Sequence, residues 1–115
     1  MADFDIKIKE TEGVNVITTN GYLNNYGGEQ VASVCLQKIS EGKRKFLINV
    51  EKTEMVNSIG VSILIEVIEE LQGTSGVLAF CNTAPIVEKT FNIMGISKYA
   101  KIYGSEEEGL EALTS

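Results

Sequence analysis

Side chains able to do chemistry are scarce in this sequence. It contains no histidine, which removes the commonest general base and the commonest ligand of catalytic zinc. Hydrolytic and metal chemistry are therefore not expected, and neither a metal nor a cofactor is called for. The two cysteines, Cys35 and Cys81, lie far apart among apolar neighbours. The expected state is a pair of buried, reduced thiols, because cytosolic chains rarely carry structural disulfides. What is left is the stretch Lys52-Thr53-Glu54-Met55-Val56-Asn57-Ser58. Ser58 with Lys52 is the one nucleophile pairing on offer, but Lys52 belongs to a charged loop and reads as solvated. On the residues alone Ser58 is a hydroxyl at the start of a helix, and most such serines only cap it.

The elements around Ser58 explain its place. Phe46-Leu47-Ile48-Asn49-Val50 is a short apolar run of β-favouring residues, long enough for one buried strand. Asn57 and Ser58 carry side-chain oxygens suited to the free N–H groups of a first helical turn, and an apolar helical pattern follows at once. In that helix Val61, Leu64, Ile65, Ile68 and Leu71 form a stripe that must face a core, while Ser62, Glu66, Glu69 and Glu70 gather opposite. Ile59 falls among the polar residues and Ile63 at the border. The helix start thus offers a serine and large apolar side chains together, the mark of a contact site.

Composition narrows the partner. A chain of 115 residues is one domain, able to bury roughly 65% of its unfolded surface. A net charge of -6 with no basic cluster argues against nucleic acid. No apolar run approaches membrane-spanning length, and MADFDIKIKE lacks the basic start and apolar centre of a signal peptide. The expected location is the cytoplasm, without membrane insertion, as a monomer or weak dimer.

In chain order, Phe4, Ile6 and Ile8 alternate with charged residues as in a half-buried strand. Glu12-Gly13 signals a turn, Val14 and Val16 open a second strand, and Asn20-Gly21 is a tight-turn dipeptide. The pattern predicts a loop over Asn24-Asn25-Tyr26-Gly27-Gly28, capped by one of the asparagines, and a helix from about Glu29 to Glu41 that buries Val31, Val34, Cys35 and Ile39 and is closed by Gly42. A ligand site on Gly27-Gly28 would lack the spacing of either phosphate-binding fingerprint. Val77 to Cys81 reads as the next buried strand, so strand, helix and strand form a parallel crossover unit. Pro85 opens a third helix with Ile86, Val87, Thr90, Phe91 and Met94 on its apolar side, and Gly95 ends it. A last strand lies around Lys101 to Tyr103, and Ser105 with Glu108 is a capping-box signature for a final helix using Leu110 and Leu113. The expected architecture is α/β: one domain, a mixed, largely parallel sheet of about five strands, about four helices mainly on one face, and Phe46 to Val50 and Val77 to Cys81 inside the sheet.

These motifs resemble the STAS family, the domain shared by bacterial anti-sigma-factor antagonists and the cytoplasmic parts of sulfate transporters. Asn57-Ser58-Ile59-Gly60-Val61 is similar to the family's Asp-Ser-Ser-Gly-Leu signature, and Gly21-Tyr22-Leu23-Asn24 to its Gly-Glu-Leu-Asp. The helix from Pro85 to Phe91 before Gly95-Ile96, and the tail from Ser105, also match. The resemblance implies a non-enzymatic protein switch. An ATP-dependent anti-sigma factor would phosphorylate Ser58, with Thr53 as second candidate, a phosphatase would reverse this, and the unmodified form would bind the anti-sigma factor. Asn24, Asn57, Ser58, Ile59 and Ile63 would form the binding site. Asn57, Ile59 and Asn24 depart from the family's acidic residue, second serine and aspartate. An amide can cap a helix but cannot accept a proton or repel a phosphate as a carboxylate would. The alternative is a non-phosphorylated STAS interaction module, in a signalling scaffold or a lipid or anion transport assembly.

Overall fold

The computed structural model describes residues 4–115. Met1–Asp3, the start of the segment read as lacking a leader, lie outside the described residues. Strands β1 (Asp5–Thr11) and β2 (Val14–Asn20) form an antiparallel hairpin. Its turn at Glu12-Gly13 takes positive φ at both residues, 51° and 83°, the backbone twist that two-residue hairpin loops need. From β2 onward the chain alternates parallel strands with helices: α1 (Asn25–Ser40), β3 (Lys45–Lys52), α2 (Ser58–Gln72), β4 (Val77–Cys81), α3 (Pro85–Met94), a 3-10 turn (Ile96–Lys98), β5 (Ile102–Tyr103) and α4 (Glu106–Thr114). The sheet order is β1-β2-β3-β4-β5, with every pair after the hairpin parallel. The mixed five-stranded sheet and its interior β3 and β4 are as the sequence predicts.

Strand alternation divides the core. Ile17, Phe46, Ile48, Val50, Leu78 and Phe80 face one way, beneath Val31 and Cys35 of α1, Val61, Leu64, Ile68 and Leu71 of α2, and Val87 and Phe91 of α3. Phe80 and Phe91 meet as a tilted pair, 4.8 Å between ring centroids and 51° between ring planes, a contact that adds to plain burial. Val14, Val16, Leu47, Ala79 and Cys81 face the other way and are covered through Leu113 of α4. Three helices thus share one face and the last takes the other. Glu106, the first residue of α4, accepts from Asn49 Nδ2 at 3.0 Å and pairs with Lys9 at 2.9 Å. These two donors hold its carboxyl below the usual range, the hydrogen bond from Asn49 first.

Both thiols are free and buried. Burial pushes each up to about 12, and at Cys81 the carboxylates Glu106 and Glu51 add to the shift. Burial thus disfavours the thiolate, the reactive form, at both positions.

Four expectations are corrected. Helix α1 begins at Asn25, not near Glu29, so Gly27 and Gly28 are helical and buried. Asn20-Gly21, read as a tight turn, is a bend and not a hydrogen-bonded turn: the Gly21 N–H donates to Lys52 O at the end of β3. Ile86 is exposed instead of joining the apolar side of α3, because the core-facing ridge there is Val87, Phe91 and Met94. The last strand is only two residues long, since Ile96–Lys98 turns as a 3-10 helix after the left-handed Gly95.

Candidate functional site

Because each helix on the α1–α3 face follows a parallel strand, their N-termini lie at one rim of the sheet. The β2–α1 and β3–α2 loops are stitched together there. Leu23 N–H donates to Met55 O at 3.0 Å, and Asn57 N–H donates to Leu23 O at 3.2 Å, around a parallel bridge between Leu23 and Val56. The result is that two helix caps stand side by side. Asn24 Oδ1 accepts from Gly27 N at 3.0 Å and Asn57 Oδ1 accepts from Gly60 N at 2.9 Å. Each satisfies one free donor of its first turn.

Glycine makes this closeness available. A Cβ on Gly28 would lie 3.1 Å from Gly60 Cα and 3.4 Å from Ile63 Cβ. A Cβ on Gly60 would overlap the Leu23 carbonyl oxygen and come within 2.8 Å of Asn24 O. Gly27 is equally enclosed, by Tyr22 O and the Phe4 ring. Gly27 and Gly28 are therefore packing residues, and no phosphate-cradling loop exists at that position.

Ser58 is the first residue of α2 and is exposed. The cap is Asn57, so the Ser58 hydroxyl is not needed for it, and among the described residues it makes no intramolecular hydrogen bond. That resolves which of the two residues closes the helix. Thr53 has the opposite fate. It is fully buried, with Oγ1 2.6 Å from Thr19 Oγ1 across to β2. In this structure the hydroxyl is out of reach of solvent unless the loop opens.

Ile59 is 56% exposed and Met55 59%. Tyr22 and Tyr26 are exposed in the neighbouring loop and first turn of α1. Ile63 is half-buried and packs toward Gly28 in the α1–α2 contact. Asn24 and Asn57 are half-buried. The apolar rim around Ser58 thus includes Tyr22, Tyr26 and Met55, which sequence reasoning missed. Their signal was present: large apolar side chains in or beside loops, with no stripe to bury them. Neither α1 nor α2 has an acidic residue in its first turn, so the positive ends of both helix dipoles are unopposed there. Beside them a cleft of about 520 Å³ is lined by Asn20, Tyr22, Glu51, Lys52, Glu54 and Met55.

A family model described as STAS domain matches residues 5–109. The chain belongs to the STAS domain family. BtrV of Bordetella bronchiseptica, assigned provisionally as an anti-sigma factor antagonist, is 21% identical over 93% of this chain and 92% of its own. Among solved structures, an anti-sigma-factor antagonist (STAS) domain protein from Planctomyces limnophilus superposes with a TM-score of 0.84 at 26% identity, covering 96% of this chain and 99% of that one. The Bacillus cell fate determinant SpoIIAA in its phosphorylated form superposes with a TM-score of 0.75 at 23% identity, covering 94% and 98%. The mixed sheet with four helices is the STAS fold.

The division of labour at the start of α2 is measurable in this STAS domain. Asn57→Ala should cost about 1 kcal/mol by losing the cap, whereas Ser58→Ala should cost less than about 0.5 kcal/mol because no cap depends on it. Urea denaturation of the two variants checks the ranking. A larger loss at Ser58 would show that its hydroxyl carries the helix end.

Proposed function

We propose that this STAS domain is an anti-sigma factor antagonist of the cytoplasm, a binding module whose switch is phosphorylation of Ser58. The observation that carries the reading is the exposed Ser58 hydroxyl, free of capping duty, beside the exposed Ile59 and Met55. The unmodified surface, with Asn24, Asn57 and Ile59 around the serine, binds an anti-sigma factor that is also the serine kinase, and a phosphatase restores it. Phosphorylation adds about -1.5 to -2 charges at the N-terminus of α2, where free N–H groups and the dipole accept an anion. The fold survives while an apolar contact acquires a strongly hydrated group. Loss of partner binding follows from desolvation cost.

Mass spectrometry of the protein from its own cells tests this. The expected result is a singly phosphorylated fraction modified at Ser58. An unmodified Ser58 across growth and stress conditions would overturn the switch and favour a STAS interaction module that works without phosphorylation.

A further inference from the structure

The sheet face that carries α4 is only partly covered. Leu47 of β3 and Ala79 of β4 are buried there with Leu113 of α4. Lys45 and Val77 lie two residues earlier on the same strands and pair with each other in register, so both project from this face. Tyr103 of β5 packs into the same layer. Lys101, two residues before it and bonded through its carbonyl to Phe80 N, takes the same side. Helix α4 does not cover Val77, which is 41% exposed.

Where the cover stops there is a cavity of about 410 Å³. Leu78, Ala79 and Leu113, all buried, give it an apolar lining, to which Tyr99 and Tyr103 add two aromatic side chains. The cavity reaches Leu78 because β5 pairs with β4 only at Phe80 and Cys81, which leaves the start of β4 without a neighbouring strand on that side. The charged side chains of the lining are Lys45 and Lys101, and no aspartate or glutamate takes part in it. Both lysines are exposed, and among the described residues neither has an ion-pair partner, in a chain of 16 acidic and 10 basic residues. The negative end of the α4 dipole lies nearby. There the Thr114 hydroxyl donates to Leu110 O at 2.8 Å and the Ser115 hydroxyl to Ala112 O at 3.3 Å, so two of the last carbonyls have local donors. Two ammonium groups are left beside an apolar, aromatic hollow.

We propose that this cavity binds a small organic anion, a carboxylate on an apolar body. Lys45 and Lys101 attract the carboxylate, while Tyr99, Tyr103 and Leu113 cover the body. The volume falls within the range of about 300–1,000 Å³ that small-ligand sites occupy. The proposal does not depend on the antagonist reading. The cavity lies at the start of β3 and β4, whereas Ser58 follows the far end of β3, so an occupant leaves the start of α2 free.

The test is an NMR titration of the isotope-labelled full chain with naphthoate and with decanoate, a flat and a chain-like body under one head group, and with neutral naphthamide. At least one carboxylate should bind with a Kd of about 1 mM or tighter. It should shift the amides of Val77, Leu78, Ala79, Lys101 and Leu113 while those of Met55 and Ser58 stay in place. Binding by naphthoate, by decanoate or by both supports the site and identifies the body it takes. The combined variant Lys45→Gln, Lys101→Gln changes exposed side chains, should melt as the parent does, and should bind the carboxylate about fivefold more weakly or worse. Added salt should weaken binding by the parent in the same direction. No shift from either carboxylate at about five times that concentration, shifts centred elsewhere on the chain, or carboxylate binding that neither salt nor the lysine variant weakens would overturn the proposal. So would equal binding of naphthoate and naphthamide. Anionic phospholipid vesicles that hold the parent but not the lysine variant, with neither carboxylate bound, would assign the face to a membrane surface and overturn it as well.

Discussion

Gly60→Ala should lose about 3 kcal/mol of stability, a large share of what holds a domain of this size together. The sign is the informative part. Inside a helix an alanine is worth up to about 1 kcal/mol over glycine, so propensity alone would make the variant more stable. Packing reverses it, because the new methyl would overlap the Leu23 carbonyl oxygen and crowd Asn24 O, both backbone atoms that cannot rotate away. Relief requires moving the start of α2, which strains the Asn57 to Leu23 hydrogen bond and the Gly28 contact together. Gly73→Ala is the control: that residue has φ -66°, and a Cβ there would meet nothing closer than Glu70 O at 3.5 Å. It should be neutral or slightly stabilising through the unfolded chain. Chemical denaturation of both variants decides the matter, and equal midpoints would refute the tight crossing of α1 and α2.

The same glycines show why the sequence is legible in some places and not in others. The β3–α2–β4 unit could be read because strand length, helical stripe and turn residues all agree locally. The N-terminal turn of α1 could not. Gly27-Gly28 has the composition of a loop, and only tertiary neighbours make glycine necessary inside that helix: Gly60, more than thirty residues away in sequence, against Gly28, and Tyr22 O with the Phe4 ring against Gly27. Thr53 failed as an accessible hydroxyl for a similar reason. Its partner Thr19 lies on another strand, and nothing in the loop's own residues announces the pairing. Ile86 looked like a core residue because it is apolar and next to Val87. A shift of one position on a helix turns a side chain by about 100°, enough to carry it from the core to the surface. At the candidate site the asparagine caps were readable from type and position. Tyr22 and Met55 show in sequence only as unburied apolar side chains; their place at the site does not, because the pairing of the two loops is tertiary.

Ser58→Asp should separate stability from binding. A carboxylate at the first position of α2 meets free N–H groups and the positive end of the helix dipole, with no acidic residue in that turn to oppose it. Its stability should match or exceed that of the parent by a few tenths of a kcal/mol. Binding to the anti-sigma factor should fall at least about tenfold, because the charge lies beside Ile59 and Met55 and must be dehydrated in any apolar contact. Ile59→Glu is the companion. Its side chain is largely exposed, so folding should be nearly unaffected, while a contact that covers it should lose about 1 kcal/mol or more. A simple loss of fold would lower stability and binding together; a switch moves only the second. Melting curves and titrations of both variants distinguish these outcomes. If both bind as tightly as the parent, the partner does not touch the start of α2, and a phosphate on Ser58 would have nothing there to displace.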